Sequence, residues 1–107
     1  MIWSSLAKKY INAEMNADIN TISALVGDEL VFNGINFLKD EFISLPRDPI
    51  KNSIKFIDCC YRDKYICCEY EVAENTESLY LKFIMIIKFN DFGKINYVQE
   101  YSELLEQ

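Results

Sequence analysis

The sequence predicts a single α+β domain, with helices in its first half and strands in its second half. Apolar residues recur at helical spacing as far as Ile43, and strand-like segments rich in β-branched and aromatic residues follow from Ile54 onward. The length of 107 residues suits one domain. Helices followed by consecutive strands are typical of an α+β fold in which helices cover one face of a curved antiparallel sheet.

The composition indicates a folded chain and excludes several classes of function. Half of the residues are hydrophobic and 14% are aromatic, which is too apolar for a disordered chain. The chain has 11 basic and 17 acidic residues, which gives a net charge of −6. Because binding to a phosphate backbone needs clustered basic residues, we expect no nucleic-acid partner. The chain has no His, which excludes Ser-His-Asp and Cys-His nucleophile systems.

The sequence also bears on the cellular compartment. Its apolar runs are all shorter than the ~20 residues of a membrane span. The N-terminus has neither the basic region nor the apolar region of a signal peptide. We therefore expect a cytoplasmic protein without a membrane partner, in which the four Cys residues are thiols.

The first apolar pattern predicts an amphipathic helix that ends near Ala17. Its apolar residues fall at positions i, i+3, i+4, i+7 and i+8, the spacing of one helix face. These residues are Trp3, Leu6, Ala7, Tyr10 and Ile11. Asp18 then suits the N-cap of a second, short helix, and Gly27 suits the left-handed residue just past its end.

A short strand and a third helix are predicted before the pattern changes. Residues 29–32 favour a strand, and the Asn33-Gly34 pair that follows favours a turn. Leu38, Phe42 and Ile43 recur at helical spacing, and Pro46 ends that third helix. We expect a loop over residues 47–52.

The second half of the chain predicts four consecutive strands. β-Branched and aromatic residues dominate residues 54–62, 65–73, 79–89 and 94–102. The breaks between them have the composition of turns and cover residues 63–64, 74–77 and 90–93. Short turns between consecutive strands predict an antiparallel meander.

Alternation along the strands assigns side chains to the two faces of the sheet. We expect Cys68, Tyr70 and Met85 to face inward. Strict alternation along the last strand places Tyr97 and Gln99 inward. It places Glu100 outward, unless the register shifts by one residue and exchanges the faces. Asp58 is expected to point outward as well.

The outward face of the strand over residues 79–89 carries isoleucines as well as lysines. Ile84 and Ile86 lie on this face, and Tyr80 and Val98 are assigned to the same surface. A half-apolar outer face often contacts a partner. We therefore expect a homodimer that forms through the outer face of the sheet.

The four cysteines occur as two adjacent pairs, Cys59-Cys60 and Cys67-Cys68, and four thiolates are a common zinc site. A two-residue turn at residues 63–64 places Cys60 opposite Cys67, and Cys59 opposite Cys68. Neighbours in a strand point to opposite faces, so one metal ion cannot collect all four thiolates. We predict no metal site and favour reduced, half-buried structural thiols, with a redox or metal role left as the alternative.

Two groups of sequence strings resemble the nuclear transport factor 2-like superfamily, which includes ketosteroid isomerases, SnoaL-type polyketide cyclases and limonene epoxide hydrolases. The first group is Tyr10-Ile11-Asn12-Ala13, Asp18, Ile22-Ser23-Ala24-Leu25, Asp28, Leu30 and Phe32. The second is Phe89-Asn90-Asp91-Phe92-Gly93-Lys94-Ile95 with Tyr101. The resemblance covers nearly the whole chain. It implies a cystatin-like cone, in which three N-terminal helices pack on a curved antiparallel sheet and leave an apolar pocket at one end.

The resemblance implies only part of the ketosteroid isomerase chemistry. An ungapped match places the oxyanion tyrosine of the family on Tyr10 and its base aspartate on Gly34. A separate match of the later Phe89-Asn90 string places the protonated acid of the family on Met85. Because Gly34 cannot abstract a proton and Met85 cannot donate a hydrogen bond, steroid isomerisation is not expected.

The resemblance therefore implies a small-molecule-binding domain without a cofactor, whose ligand is a small apolar or aromatic molecule. The expected ligand-binding residues are Tyr10, Asn33, Tyr61, Cys68, Tyr70, Met85, Tyr97 and Gln99. Two alternatives stay open. One is a lyase, isomerase or hydrolase that uses Tyr10 with a pocket carboxylate, Glu100 or Asp58. The other is a dimeric protein-interaction module.

Overall fold

The architecture is taken from a computed structural model that describes residues 2–47, 49, 53–73 and 79–106. Three helices and six strands follow one another along these residues. They are α1 Ile2–Met15, α2 Ile19–Leu25, β1 Val26–Phe32, β2 Ile35–Leu38, α3 Lys39–Ile43, β3 Ser53–Arg62, β4 Tyr65–Ala73, β5 Leu79–Phe89 and β6 Ile95–Glu106. None of the described helices has the length and hydropathy needed to cross a membrane.

The six strands form one mixed sheet in the order β2-β1-β6-β5-β4-β3. The β1–β6 pair is parallel, and the other neighbouring pairs are antiparallel. The predicted meander of β3 to β6 is confirmed, but the prediction of a purely antiparallel sheet is wrong at β1. A parallel pair needs a long connection, and the whole stretch from β2 to β5 supplies it here.

The helix predictions are confirmed in part. Helix α1 ends at Met15, and the Asp18 carboxylate caps α2 by accepting a hydrogen bond from the Thr21 backbone N–H at 3.2 Å. Gly27 is not a left-handed helix cap, because it lies inside β1. A Cβ atom at this position would approach the Asn90 side chain to 3.1 Å, so the strand passes close to the β5–β6 turn.

The third helix is shorter than predicted, because β2 occupies part of its expected range. Strand β2 was missed since it has only four residues and is mostly exposed. Leu38 ends this strand and precedes α3, where its backbone N–H donates to the Glu41 carboxylate at 2.8 Å. Helix α3 has only five residues and lies between β2 and β3, so the prediction of three N-terminal helices is confirmed only in part.

One face of the sheet packs against the helices and forms the core. Helix α1 covers β3 and β4, and α3 covers β1 and β2. We call the covered face the inner face and the opposite one the outer face. Cys68, Tyr70 and Met85 lie on the inner face and are buried, as predicted. The predicted turn over residues 74–77 lies outside the described residues, as do residue 48 and residues 50–52 of the predicted loop.

A β-bulge in β6 adds one residue to that strand. Ile95 pairs with Phe89, whereas Tyr97 pairs with Lys88, so Asn96 has no partner on β5. A bulge of this kind shifts the strand by one residue relative to its neighbour. The inward-outward alternation predicted from the sequence therefore fails beyond this point.

The bulge exchanges the faces of the side chains that follow it. Val98 and Glu100 lie on the inner face, where Glu100 pairs with Met85. Tyr97 and Gln99 lie on the outer face. The predicted faces of these residues are wrong, because strict alternation does not hold across an extra residue.

Arg47 joins the end of α3 to the last turn of α1. Its Nε donates to Glu14 Oε1 at 2.6 Å, and its Nη1 donates to the carbonyl oxygens of Phe42 at 3.0 Å and Leu45 at 3.2 Å. The guanidinium carbon lies 4.7 Å from the centre of the Phe42 ring. The Arg47 and Glu14 side chains are only 9% and 19% exposed, so water screens this ion pair weakly.

We expect Arg47→Met to lower the free energy of unfolding by about 3–5 kcal/mol, because it leaves the Glu14 carboxylate largely buried without its cation. Arg62→Met is the matched control, since Arg62 is exposed on β3 and its loss should change stability by about 0.5 kcal/mol or less. Urea unfolding measures both variants. Equal losses in the two would contradict a stabilising role for the ion pair.

Candidate functional site

Five polar side chains converge where α1 and the segment after α3 meet the inner face of β4 and β6. They are Tyr10, Glu14, Arg47, Tyr70 and Glu100, and we call them the polar cluster. Glu100 and Glu14 both act on the pKa of Tyr10 and Tyr70, which places the four groups within electrostatic reach of one another. The cluster combines two phenols, two carboxyl groups and one guanidinium.

Tyr10 and Glu14 are neighbours on one face of α1, because residues four apart on a helix lie one above the other. The Tyr10 hydroxyl is fully buried and donates to Glu14 Oε2 at 2.5 Å, the length of a charge-assisted hydrogen bond. Burial and the Glu14 charge raise the pKa of Tyr10 well above its usual value. Tyr10 is therefore a neutral hydrogen-bond donor whose proton is already engaged.

Glu100 presents a half-buried carboxyl group on the inner face. Its desolvation, and then the charge of Glu14, raise the pKa of Glu100 above that of an ordinary carboxyl. The backbone N–H of Glu100 donates to Asn33 Oδ1 at 2.7 Å, and Asn33 adopts a left-handed φ of 48° in the β1–β2 turn. Asn33 thereby holds β6 at the point where the carboxyl group leaves the strand.

The Tyr70 hydroxyl is buried and has no hydrogen-bond partner among the described residues. Its ring stacks on Phe83 with 5.1 Å between the centroids and 12° between the planes, so the orientation of the phenol is fixed. Burial, followed by the Glu100 charge, raises the pKa of Tyr70 and keeps the phenol neutral. An unpaired buried hydroxyl costs about 1–3 kcal/mol, which makes it an exception that needs a reason.

The structure brings together four of the eight predicted ligand-binding residues on the inner face. They are Tyr10, Cys68, Tyr70 and Met85. Ligand binding by any of the eight stays a prediction. Asn33 supports Glu100 from the turn, and Tyr61 lies on the edge strand β3 with 42% of its surface exposed. Tyr97 and Gln99 lie on the outer face, where the Tyr97 ring packs against Tyr65 with centroids 6.4 Å apart.

Sequence reasoning missed two members of the polar cluster. The spacing of Tyr10 and Glu14 was a usable signal, because residues four apart on a helix face the same neighbours. Arg47 gave no signal, since it lies 33 residues from Glu14 in a loop. Of the two acids weighed for a pocket, Glu100 faces inward, whereas Asp58 is exposed and pairs with Glu69 on the outer face.

A cavity of about 630 Å³ lies apart from the polar cluster, between the β1–β2 hairpin, the start of α3 and the bulge of β6. Its lining residues are Glu29, Leu30, Val31, Asn36, Phe37, Leu38, Glu41 and Asn96. None of the eight predicted ligand-binding residues belongs to this set. Asn96 Oδ1 is buried there without a hydrogen-bond partner among the described residues.

The two buried tyrosines predict opposite effects on stability. Tyr10→Phe removes a hydrogen bond to a carboxylate, so we expect the free energy of unfolding to fall by about 1.5–3 kcal/mol. Tyr70→Phe removes a hydroxyl that has no partner in the described chain, and stability should stay level or rise by up to about 1–3 kcal/mol. Urea unfolding compares the two variants. A similar loss in both would refute this distinction.

The raised pKa of Glu100 predicts a pH-dependent effect of Glu100→Gln. The folded chain binds the Glu100 proton more tightly than the unfolded chain, so stability falls as the pH rises from the ordinary carboxyl pKa of 4.5 through the raised pKa. The variant should be more stable than the wild type at pH 7, and this gain should shrink toward pH 4. Thermal unfolding at both pH values measures the difference, with Glu29→Gln as the exposed control. A gain that is independent of pH would contradict the assignment.

Neither a family model nor a curated protein sequence matches this chain. Solved structures match its fold at low sequence identity. A nuclear transport factor 2-like protein of unknown function from Burkholderia xenovorans has a TM-score of 0.72 and 14% identity, over 94% of this chain and 82% of that one. A SnoaL-like family protein from Agrobacterium tumefaciens has a TM-score of 0.71 and 9% identity, over 96% and 99%. An LEH-like epoxide hydrolase from M. tuberculosis has a TM-score of 0.70 and 18% identity, over 92% and 76%.

These similarities extend over more than nine tenths of the chain. Another solved structure that matches, from Silicibacter pomeroyi, is named for its cystatin-like fold. At such low identity the matches establish the architecture and leave the chemistry to the residues of this chain. The chain has the cystatin-like α+β fold of the nuclear transport factor 2-like superfamily.

Proposed function

We propose that the chain binds a small molecule against the polar cluster on the inner face of its sheet. The Tyr70 hydroxyl carries this proposal, because it is buried, held in place by stacking and without a hydrogen-bond partner among the described residues. Buried polar groups are normally paired. A ligand oxygen that accepts a hydrogen bond from Tyr70 would satisfy this group.

The surroundings of Tyr70 favour an apolar molecule with one polar atom. Phe83 pairs with Tyr70, and Met85 lies two residues further along the same face of β5; both are buried. Arg47 is engaged by Glu14 and by backbone carbonyl oxygens, so it is not free to hold an anion. We infer a small aromatic or alicyclic ligand that carries one carbonyl or hydroxyl group.

The proposal is tested with three probes of nearly equal size: naphthalene, 2-naphthol and 1-tetralone. The two oxygen-bearing probes should raise the melting temperature of the chain more than naphthalene does. A ligand at about 100 times its Kd adds about 2.7 kcal/mol of stability. Calorimetric titration then gives the affinities.

Tyr70→Phe should weaken the binding of 1-tetralone about tenfold and leave naphthalene unaffected, because about 1.4 kcal/mol of hydrogen bonding is lost. Tyr65→Phe is the matched control on the outer face, where the Tyr65 ring is 43% exposed. It should not change either affinity. No stabilisation by any probe, or equal losses in both variants, would contradict the proposed site.

Glu100 supports a second candidate function, an enzyme that transfers protons as a lyase, isomerase or hydrolase. A carboxyl group with a raised pKa suits a general acid or base near neutral pH. In this reading Glu100 moves the proton and Tyr70 donates to the developing oxyanion. Tyr10 holds Glu14 and lines the same face. Gly34 in the turn and Met85 in the core cannot perform either role.

The enzymatic candidate is tested by hydrogen–deuterium exchange at the carbon next to the carbonyl group of 1-tetralone. NMR in deuterium oxide should show exchange that is faster with the wild type than in buffer. Glu100→Gln should reduce this rate by about 10²-fold or more. Glu103→Gln, the same change at an exposed position of β6 on the outer face, should leave it unchanged. If the wild type binds 1-tetralone but does not accelerate the exchange, the enzymatic candidate is rejected and ligand binding remains the proposed function.

We also propose that the chain forms a homodimer through the outer sheet face. Ile84 is 37% exposed, and Tyr101, which pairs with Ile84 across β5 and β6, is 55% exposed. Exposed apolar groups that adjoin one another support contact with a second copy. Val98 does not contribute, since it is fully buried within one chain. Light scattering should give a dimer mass, and Ile84→Lys should give a monomer; a monomeric wild type would contradict the proposal.

A further inference from the structure

The sulfur atoms of Cys59 and Cys68 are in direct contact across β3 and β4. Their Sγ atoms lie 2.9 Å apart, and both residues are free thiols. Cys68 is fully buried on the inner face, and Cys59 is half-buried beside it. The S–S bond of a disulfide measures about 2.0 Å, so the two sulfur atoms need to approach by less than about 1 Å.

The turn between β3 and β4 determines which cysteine pair is placed to form a disulfide. Arg62 and Tyr65 pair on either side of the two-residue turn, and the pair that closes such a turn is hydrogen-bonded. Hydrogen-bonded and non-hydrogen-bonded pairs then alternate along the two strands. Cys60 and Cys67, two positions further along, are therefore a hydrogen-bonded pair.

The next position, Cys59 opposite Cys68, is a non-hydrogen-bonded pair. Such pairs have Cα atoms about 4.5 Å apart, against about 5.5 Å in hydrogen-bonded pairs, and their side chains lie closer together. A Cα separation of about 4.5 Å falls within the range of disulfides. The outer-face pair differs, since Cys60 Sγ lies 3.7 Å from the Asp58 carboxylate.

We propose that Cys59 and Cys68 are a reversible dithiol–disulfide site that a low-molecular-weight disulfide such as oxidised glutathione oxidises. The half-buried Cys59 loses its proton to water and attacks one sulfur atom of oxidised glutathione, and one glutathione thiolate leaves. Cys68 then loses its proton and attacks the sulfur atom of Cys59, which releases the second glutathione. Two protein thiols become one disulfide, and oxidised glutathione becomes two reduced glutathione molecules.

The order of these two steps follows from accessibility. Cys68 is fully buried, and burial followed by its contact with Cys59 raises the pKa of its thiol. Cys59 is the more exposed partner and therefore receives the incoming sulfur. Cys68 acts second, when its target is already in contact and the reaction has become intramolecular.

The site adjoins the proposed ligand site, since Cys68 is also one of the predicted ligand-binding residues, but its test needs no ligand. Cys68 pairs with Met85, and Met85 pairs with Glu100, so these residues form one row across β4, β5 and β6. The cysteine site lies at the β4 end of this row, and Glu100 lies at the other end. Oxidation can therefore be measured on the free protein, whether or not the proposed ligand site is correct.

Two double variants of the full chain test the proposal, each keeping one pair. Cys60→Ser/Cys67→Ser keeps the inner pair, and Cys59→Ala/Cys68→Ala keeps the outer pair. Both are incubated with oxidised glutathione, and intact mass and free thiols are followed with time. The inner-pair variant should lose two hydrogen atoms and both thiols without retaining glutathione. It should form its disulfide about tenfold faster than the outer-pair variant, because its sulfur atoms are already in contact.

The wild type provides a measurement that needs no variant. It should form one disulfide, keep two titratable thiols and recover all four with dithiothreitol. Unfolding in urea should remove the difference between the two pairs, because the register holds only in the folded sheet. Stable glutathione adducts on the inner pair would overturn the proposal, and so would equal rates for the two pairs in the folded chains.

Discussion

One extra residue in β6 decides which side chains of the last strand face the helices. Asn96 has no partner on β5, so the residues after it present the opposite side chains to the core. Glu100 consequently lies beside Met85, and its carboxyl group is half-buried instead of solvated. Burial then raises its pKa. The acid–base character of the inner face thus originates in backbone pairing, several residues away from the acid itself.

The two buried tyrosines of the inner face differ because one lies on a helix and the other on a strand. A helix places a partner one turn away, and Glu14 satisfies Tyr10 in this way. Along a strand the same-face neighbours are two residues away, and those of Tyr70 are Cys68 and Val72, which offer no strong acceptor. Among the described residues, the oriented Tyr70 hydroxyl is therefore left without a partner, and the proposed ligand recognition depends on it.

The two chemistries that we propose for the inner face use different side chains. Cys59 and Cys68 lie toward the β3 edge of one cross-strand row, and Glu100 lies at its β6 end. Met85 separates the thiols from the acid. Only the pleat brings these residues into one row, since each strand contributes every second side chain to a given face.

Local signals in the sequence determined much of the architecture. The cap at Asp18, the turns at residues 33–34 and 63–64, and the limits of β4 and β5 follow from interactions between near neighbours, so they were predictable. Tertiary structure alone decided the parallel pairing of β1 with β6, the bulge at Asn96 and the contact of Arg47 with Glu14. Each of these joins segments far apart in the chain, and the free energy that selects them comes from packing that only the folded sheet provides.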